Sequence, residues 1–309
     1  CGAPFFVARG GRRGARFPLD RGAWLRQGRD VGAERLVMTQ SPSLPIETAP
    51  TGVEIADLCT VSRHRIWIEL AIPLPWLVLS FWLYAGPLWP LGAGASFLFF
   101  LCCLRLNHEA IHGNLGAPRW ADHAVMHGLS ALMLGSNHAD AYCHLAHHRD
   151  TMGDHDHEGH CAKMTLTEVL LYGPRFPLEL NRAAWAAGPR WRRRVAGDWA
   201  LVAGFVAAVA LSGQGFLGLH LVAMALGQCL AAFFAVWITH QGTEGTGLAG
   251  RSQRGPLAFL AYHMFYHREH HLFPRVPVSR LPELARRLDT QVPGYAAARA
   301  PVLRALDRG

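Results

Sequence analysis

The chain has 309 residues, of which half are apolar and only 17% are charged, well below the roughly 25% usual in soluble domains. This shortage of charge argues against an ordinary soluble enzyme and predicts a membrane protein. The formal net charge of +8 comes almost entirely from arginine. No basic run with interleaved aromatic residues predicts nucleic-acid binding.

The first part of the chain differs in composition from the rest. Residues 1–37 are rich in glycine and arginine, and a stretch rich in serine, proline and threonine follows from Met38. We interpret residues 1–50 as a disordered or non-native extension and leave the true N-terminus open. Residues 51–300 are expected to form one membrane domain, and residues 301–309 a tail.

Four apolar segments approach the roughly 20 residues that a helix needs to cross a bilayer. The first two are separated only by "AGPLWP" and the last two only by "SGQG", so each pair is predicted to form a tight hairpin. The predicted spans are residues 67–84, 88–106, 199–212 and 216–239.

Arginine predicts the orientation of these hairpins. Neither hairpin turn carries a lysine or arginine, whereas the opposite flanks do. The positive-inside rule therefore predicts that both termini and the 107–197 segment are cytosolic. The expected fold is all-α, with four transmembrane helices in two hairpins and a cytosolic helical cap. We expect a multi-pass protein of a bacterial inner membrane.

The 18 histidines are unusually numerous, and eight of them form three short motifs. "HEAIH" has histidines at i and i+4, and both "HLAHH" and "HREHH" have them at i, i+3 and i+4. On a helix such residues lie on one face and can share a metal ion. The predicted ligands are His108 and His112; His144, His147 and His148; and His267, His270 and His271.

"HEAIH" alone also fits the zinc-binding helix of a metalloprotease, with Glu109 as general base. Eight histidines exceed what one tetrahedral zinc uses, whereas two metal ions with four or five nitrogens each fit the number. Imidazole suits iron, copper, nickel or zinc, so the ligand type does not name the metal. A membrane zinc protease remains a remote alternative.

With these motifs, the chain resembles the membrane fatty acid desaturase superfamily over about residues 65–290. The resemblance is carried by "HEAIH", "HLAHH" and "HREHHLFPRVP" in that order around two apolar hairpins. It implies a non-haem di-iron centre with O₂ as co-substrate. It also implies a further metal ligand near the end of the fourth span, and we predict that this ligand is His240. His138 and His263 are alternative candidates for the same ligand.

Carboxylates near the motifs are candidates to orient the ligand histidines through their second ring nitrogen. No other cofactor site is predicted, and no catalytic residue beyond the metal centre is identified. The carboxylate candidates are Glu109, Asp154, Asp156 and Glu269.

The resemblance implies an oxidoreductase that acts on an unactivated C–H bond of an apolar chain from the membrane. Our first hypothesis is a fatty acid desaturase that introduces a C=C bond into an acyl-lipid, acyl-CoA or acyl-carrier substrate. A hydroxylase or ketolase acting on an alkane, acyl chain or carotenoid is the alternative. A separate ferredoxin, rubredoxin or cytochrome b5 is expected to deliver electrons on the cytosolic face.

Overall fold

The computed structural model describes residues 46–308, which contain helices but no β-strand. The all-α prediction is thereby confirmed. Most of the predicted extension, residues 1–45, lies outside the described residues. The α-helices are α1 (Arg65–Ala71), α2 (Leu74–Tyr84), α3 (Trp89–His112), α4 (Arg119–Met133), α5 (Asn137–Arg149), α6 (Leu166–Tyr172), α7 (Phe176–Ala186), α8 (Pro189–Ser212), α9 (Gly215–Ala231), α10 (Ile238–His240), α11 (Pro256–Leu260), α12 (His267–Leu272) and α13 (Leu281–Gln291).

Shorter helical segments connect or extend these helices. A π-helical segment continues α9 directly into α10, so that the chain stays helical up to His240. The π-helical segment is Ala232–Trp237, and the 3₁₀ helices are Gly159–Lys163, Val278–Arg280 and Val302–Arg308.

Four helical stretches of the described chain are long and apolar enough to cross a membrane. They match the four predicted spans, but two of them extend well beyond the predicted bounds. The second continues past Leu106 to His112, where Gly113 ends it with a left-handed backbone at φ 71°. The spans are Arg65–Tyr84, Trp89–His112, Pro189–Ser212 and Gly215–His240.

A buried ion pair ties α1 to α3. Glu69 is fully buried and accepts hydrogen bonds from both Arg65 and Arg105, and Arg105 is itself only 3% exposed. Charged groups are costly at membrane depth unless they are paired, so each of these side chains requires the other.

The remaining helices form a cap around the ends of the spans. Helices α4, α5 and α7 pack against α8, and a cluster of buried apolar residues on α13 packs against the segment that follows α12. The predicted tail is part of this cap, because the 3₁₀ helix Val302–Arg308 buries Val302 and Ala305 completely. Glu47, from the predicted extension, pairs with Arg268 of α12 at 2.7 Å.

Candidate metal centre

Three helices bring the histidine motifs together. The first motif is the last turn and a half of α3, the second lies on the C-terminal half of α5, and the third makes up most of α12. Together with the residue that ends α10, these helices direct nine imidazoles into the interior of the cap. The nine residues divide into two separate groups.

Cluster one contains five imidazoles whose ligand atoms all lie within 4.8 Å of one another. His270 Nε2 is 2.8 Å from His108 Nε2 and 2.9 Å from His148 Nε2. His144 Nε2 is 3.1 Å from His112 Nε2 and 3.2 Å from His148 Nε2. All three motifs therefore contribute to this cluster.

Cluster two contains four imidazoles, drawn from the second and third motifs and from α10. His240 Nε2 is 3.0 Å from His147 Nε2 and 2.7 Å from His267 Nε2. His271 Nε2 is 3.1 Å from His267 Nε2. The ligand atoms of this cluster also lie within 4.8 Å of one another.

The protonation pattern of the imidazoles suits a bound cation. His144 Nδ1 lies 3.0 Å from Glu158 Oε2, and His147 Nδ1 lies 2.6 Å from Asp156 Oδ2. A carboxylate can only accept, so in each ring Nδ1 carries the proton and Nε2 presents a lone pair to its cluster. Lone pairs that converge on one point are stabilised when a metal ion occupies that point.

Burial also favours neutral imidazoles, the form that binds metal. Burial and the neighbouring imidazoles together hold the pKa of His148, His267, His270 and His271 well below its ordinary value. Burial is also the largest single influence on His147 and lowers its pKa, but the hydrogen bond and charge of Asp156, together with the charge of Glu158, outweigh burial and raise that pKa. The chemistry of the donors therefore fits two metal ions, one in each cluster.

His240, and not His138, lies in cluster two. His138 belongs instead to a third group in which Asp198 Oδ1 is 3.0 Å from His138 Nδ1 and 2.6 Å from His127 Nδ1. His138 Nε2 faces His123 Nδ1 at 3.1 Å, and Arg194 donates to His123 Nε2 at 2.8 Å. His123 and His138 thus each accept on one side and donate on the other, and His127 donates to Asp198, so the hydrogen bonds of this group form without a cation.

His263 is also outside both clusters. It lies just after α11, with its ring against Phe259 and Tyr266. His220 packs among aromatic rings inside the fourth span and its Nε2 lies 3.1 Å from the carbonyl oxygen of Leu132. Neither ring belongs to a metal-type group of the described residues.

Of the four candidate carboxylates, only Asp156 hydrogen-bonds a cluster histidine. Glu109 Oε1 accepts the backbone N–H of Val278 and lies 3.9 Å from His108 Nδ1. The predictions for Asp154 and Glu269 need correction. Asp154 is exposed, and Glu269 faces away from the clusters toward Ser252, Arg254 and Tyr295.

Two residues beside the clusters were missed from the sequence. Glu158 lies in the same acidic loop as Asp156, and its distance from His144 along the chain hid the contact. Gly250 approaches cluster two so closely that a Cβ atom would lie 3.1 Å from the His267 ring and 3.4 Å from the His240 ring. A glycine after a helix signals only a turn, so nothing in the sequence predicted this approach.

A cavity of about 280 Å³ borders both clusters. Its wall includes His108 and His144 of cluster one and His267 of cluster two, and most of the remaining wall is apolar. Phe176 and Leu180 line it from the buried side of α7. Such a cavity fits an apolar chain placed beside the two clusters.

Replacing Asp156 with asparagine is expected to weaken metal binding at cluster two by about 10- to 100-fold. Asp156 Oδ2 accepts from His147 Nδ1 and from the backbone N–H of Met152, and Oδ1 accepts from the backbone N–H of Gly159. An amide NH₂ would face a donor in either orientation. Titration with a competing chelator measures the change.

The matched control is Asp154→Asn, in the same loop but exposed. It is expected to bind metal as the unaltered protein does. Equal effects of the two substitutions would contradict the role of Asp156.

The fold and the clusters together define a helical protein with four membrane-length helices and two adjacent polyhistidine sites able to hold metal. The profile of the fatty acid desaturase family matches residues 80–302, well over half of the chain. The chain therefore belongs to the fatty acid desaturase family. A comparison with curated proteins gives no significant match.

Proposed function

We propose that this protein is an O₂-dependent di-iron oxidoreductase that introduces a C=C bond into a fatty acyl chain in the membrane. The observation that carries the proposal is the pair of histidine clusters bordering one apolar cavity. Membership of the fatty acid desaturase family supports the same reaction class.

Cluster one and cluster two would each hold one iron ion through their Nε2 atoms. When bound, the two iron ions, with O₂ as co-substrate, supply the oxidising power that breaks an unactivated C–H bond. The chain itself fixes the geometry. Asp156 and Glu158 keep His147 and His144 in the tautomer that ligates metal, and the burial of both clusters limits access of water.

The cavity would hold the apolar chain with one carbon next to the clusters. Its side on the π-helical segment and α11 includes the exposed residues Ala235 and Leu260, whereas the α7 side is buried. A chain entering from the lipid would pass these exposed residues. The apolar wall binds methylene groups by the hydrophobic effect and leaves the position of the reacting carbon to the shape of the cavity.

Electrons are proposed to come from a separate acidic protein that docks beside the clusters. Arg251 is buried and Arg254 pairs with Glu269, so neither suits a docking surface. Arg149 and Arg275 are exposed, and neither forms an ion pair with a described residue. These two directly follow the second and third motifs and would attract an acidic ferredoxin, rubredoxin or cytochrome b5.

The orientation in the membrane is likewise proposed from charge. The two hairpin turns carry no lysine or arginine, and the arginine-rich flanks adjoin the cap. We infer that the cap, both clusters and the docking surface lie on the cytosolic side.

Product analysis tests the proposed reaction. The protein, purified in detergent and loaded with iron, is supplied with O₂, a reduced ferredoxin and saturated acyl chains, and the lipids are analysed by mass spectrometry. A product that has lost two hydrogens supports a desaturase. A product that has gained an oxygen atom would instead identify the protein as a hydroxylase or ketolase.

A further inference from the structure

Two polar side chains in the cavity have hydrogen-bonding capacity that no described residue uses. Asn107 is 3% exposed, and its Oδ1 is buried without a hydrogen-bond partner among the described residues. Asp140 is half-buried and lines the same cavity, and its carboxyl group forms no hydrogen bond or ion pair with any of them. An unpaired buried acceptor such as Asn107 Oδ1 destabilises a protein unless a ligand or water pairs with it.

Two other uncharged polar side chains of the cavity each have a hydrogen-bond partner. Gln228 Nε2 donates to the carbonyl oxygen of Met133 at 2.9 Å, and Thr239 Oγ1 donates to the carbonyl oxygen of Val236 at 3.0 Å. By contrast, the side chains of Asn107 and Asp140 form no hydrogen bond with any described residue.

Both residues lie beside cluster one. Asn107 directly precedes His108 on α3, and Asp140 lies one helical turn before His144 on α5. The ring centroids of His108 and His144 are 5.1 Å apart. Most of the remaining cavity wall is apolar. Two polar side chains without partners thus occur where a chain bound in the cavity would pass the first metal site.

The electrostatics of Asp140 favour an uncharged partner. Burial, with the nearby carboxylates of Glu158 and Asp198 adding to it, raises the pKa of Asp140 to about 8. A metal ion in cluster one would also repel a cationic group brought next to it. An ammonium group is therefore a poorer partner here than a hydroxyl or an amide.

We propose that Asp140 and Asn107 bind an uncharged polar group that can both donate and accept hydrogen bonds, a hydroxyl or an amide, carried on the apolar chain that enters the cavity. This inference rests on the proposed function, because it takes the cavity as the substrate site. It names the substrate class as a chain with a polar donor close to the reacting carbon. Asp140 and Asn107 are then residues that determine specificity.

Binding of three probes of equal chain length tests the proposal: hexadecane, hexadecan-1-ol and palmitamide. Each is measured by equilibrium binding to the iron-loaded protein in detergent, without turnover. In Asp140→Leu, hexadecan-1-ol or palmitamide is expected to bind about tenfold more weakly, as loss of one buried hydrogen bond implies. The affinity for hexadecane is expected to change by less than twofold. The donor probe that loses more affinity shows whether the site recognises a hydroxyl or an amide.

Matched variants separate hydrogen bonding from damage to the cavity. Asp140→Asn keeps an acceptor oxygen and is expected to retain most of the affinity for the donor probe. Thr239→Val removes a cavity hydroxyl that already donates to the carbonyl oxygen of Val236, and should leave the ratio of donor probe to hexadecane unchanged. Asn107→Leu should lower that ratio in the same direction as Asp140→Leu.

Two results would overturn the inference. One is unchanged affinity for both donor probes in Asp140→Leu; the other is a parallel loss of hexadecane and the donor probes. Failure of the proposed function has a different signature, because hexadecane would then not bind the unaltered protein, or no oxidised product would form although the donor probes bind as expected.

Discussion

Replacing His270 with alanine is expected to remove the metal ion of cluster one and to abolish oxidation of the acyl chain. His270 Nε2 lies between His108 Nε2 and His148 Nε2, at 2.8 and 2.9 Å. Without it, the third motif no longer reaches this cluster, and the four remaining imidazoles come only from α3 and α5. His147→Ala should have the corresponding effect on cluster two, where His147 joins α5 to α10.

Elemental analysis of the purified proteins measures the effect. About two irons per chain are expected in the unaltered protein, with a clear loss in each variant, since five imidazoles of cluster one and four of cluster two, from separate helices, hold the two ions. His155→Ala, an exposed histidine of the acidic loop, is the control and should keep its iron.

One zinc per chain, retained in both variants, would contradict the di-iron proposal and favour a metalloprotease centred on "HEAIH". In that case Glu109→Gln would abolish activity and His270→Ala would not. The reverse pattern is expected here, because Glu109 accepts the backbone N–H of Val278 and does not face the cavity lining.

Replacing Glu69 with glutamine is expected to destabilise the protein by about 3–5 kcal/mol. Glu69 is fully buried and pairs with both Arg65 and Arg105, so its loss leaves a guanidinium that is 3% exposed without a counter-ion. Arg105 is also one turn before His108 on α3. A shift of this helix would therefore disturb cluster one as well.

Thermal unfolding in detergent measures this change. The control is Glu244→Gln, the same substitution in the exposed ion pair with Lys163, whose side chains are 53% and 43% exposed. That substitution is expected to change stability by less than about 1 kcal/mol. Similar losses in the two variants would argue against a special role for the buried pair.

The sequence predicted the helical class and four of the longest helices because composition alone limits what such segments can do. A run of about 20 apolar residues has to satisfy its backbone internally when it lies in lipid, and a helix does this without a partner strand. It did not predict where α3 ends or where α8 begins, because a helix can continue beyond the hydrocarbon region when polar residues such as Asn107 and Glu109 find partners or cavities in the cap.

The carboxylates show that spacing along the chain predicts only some of the contacts with the clusters. Asp156 was found because it lies close to the second motif, and Glu158 was missed although it lies two residues later. Asp154 and Glu269 were equally close to a motif, but one is exposed and the other binds Ser252 and Arg254. Proximity along the chain does not specify the direction of a side chain in a loop or in a short helix.

The sequence by itself determined which residues share a helix face, since imidazoles at i, i+3 and i+4 project within one arc whatever surrounds them. Only the tertiary structure decided how nine imidazoles divide between two clusters. That division depends on how α3, α5, α10 and α12 cross, and on the π-helical segment Ala232–Trp237, which sets the direction of His240. The pairing of His138 with Asp198 and the unused oxygens of Asn107 and Asp140 likewise arise from contacts between distant segments, which local periodicity does not encode.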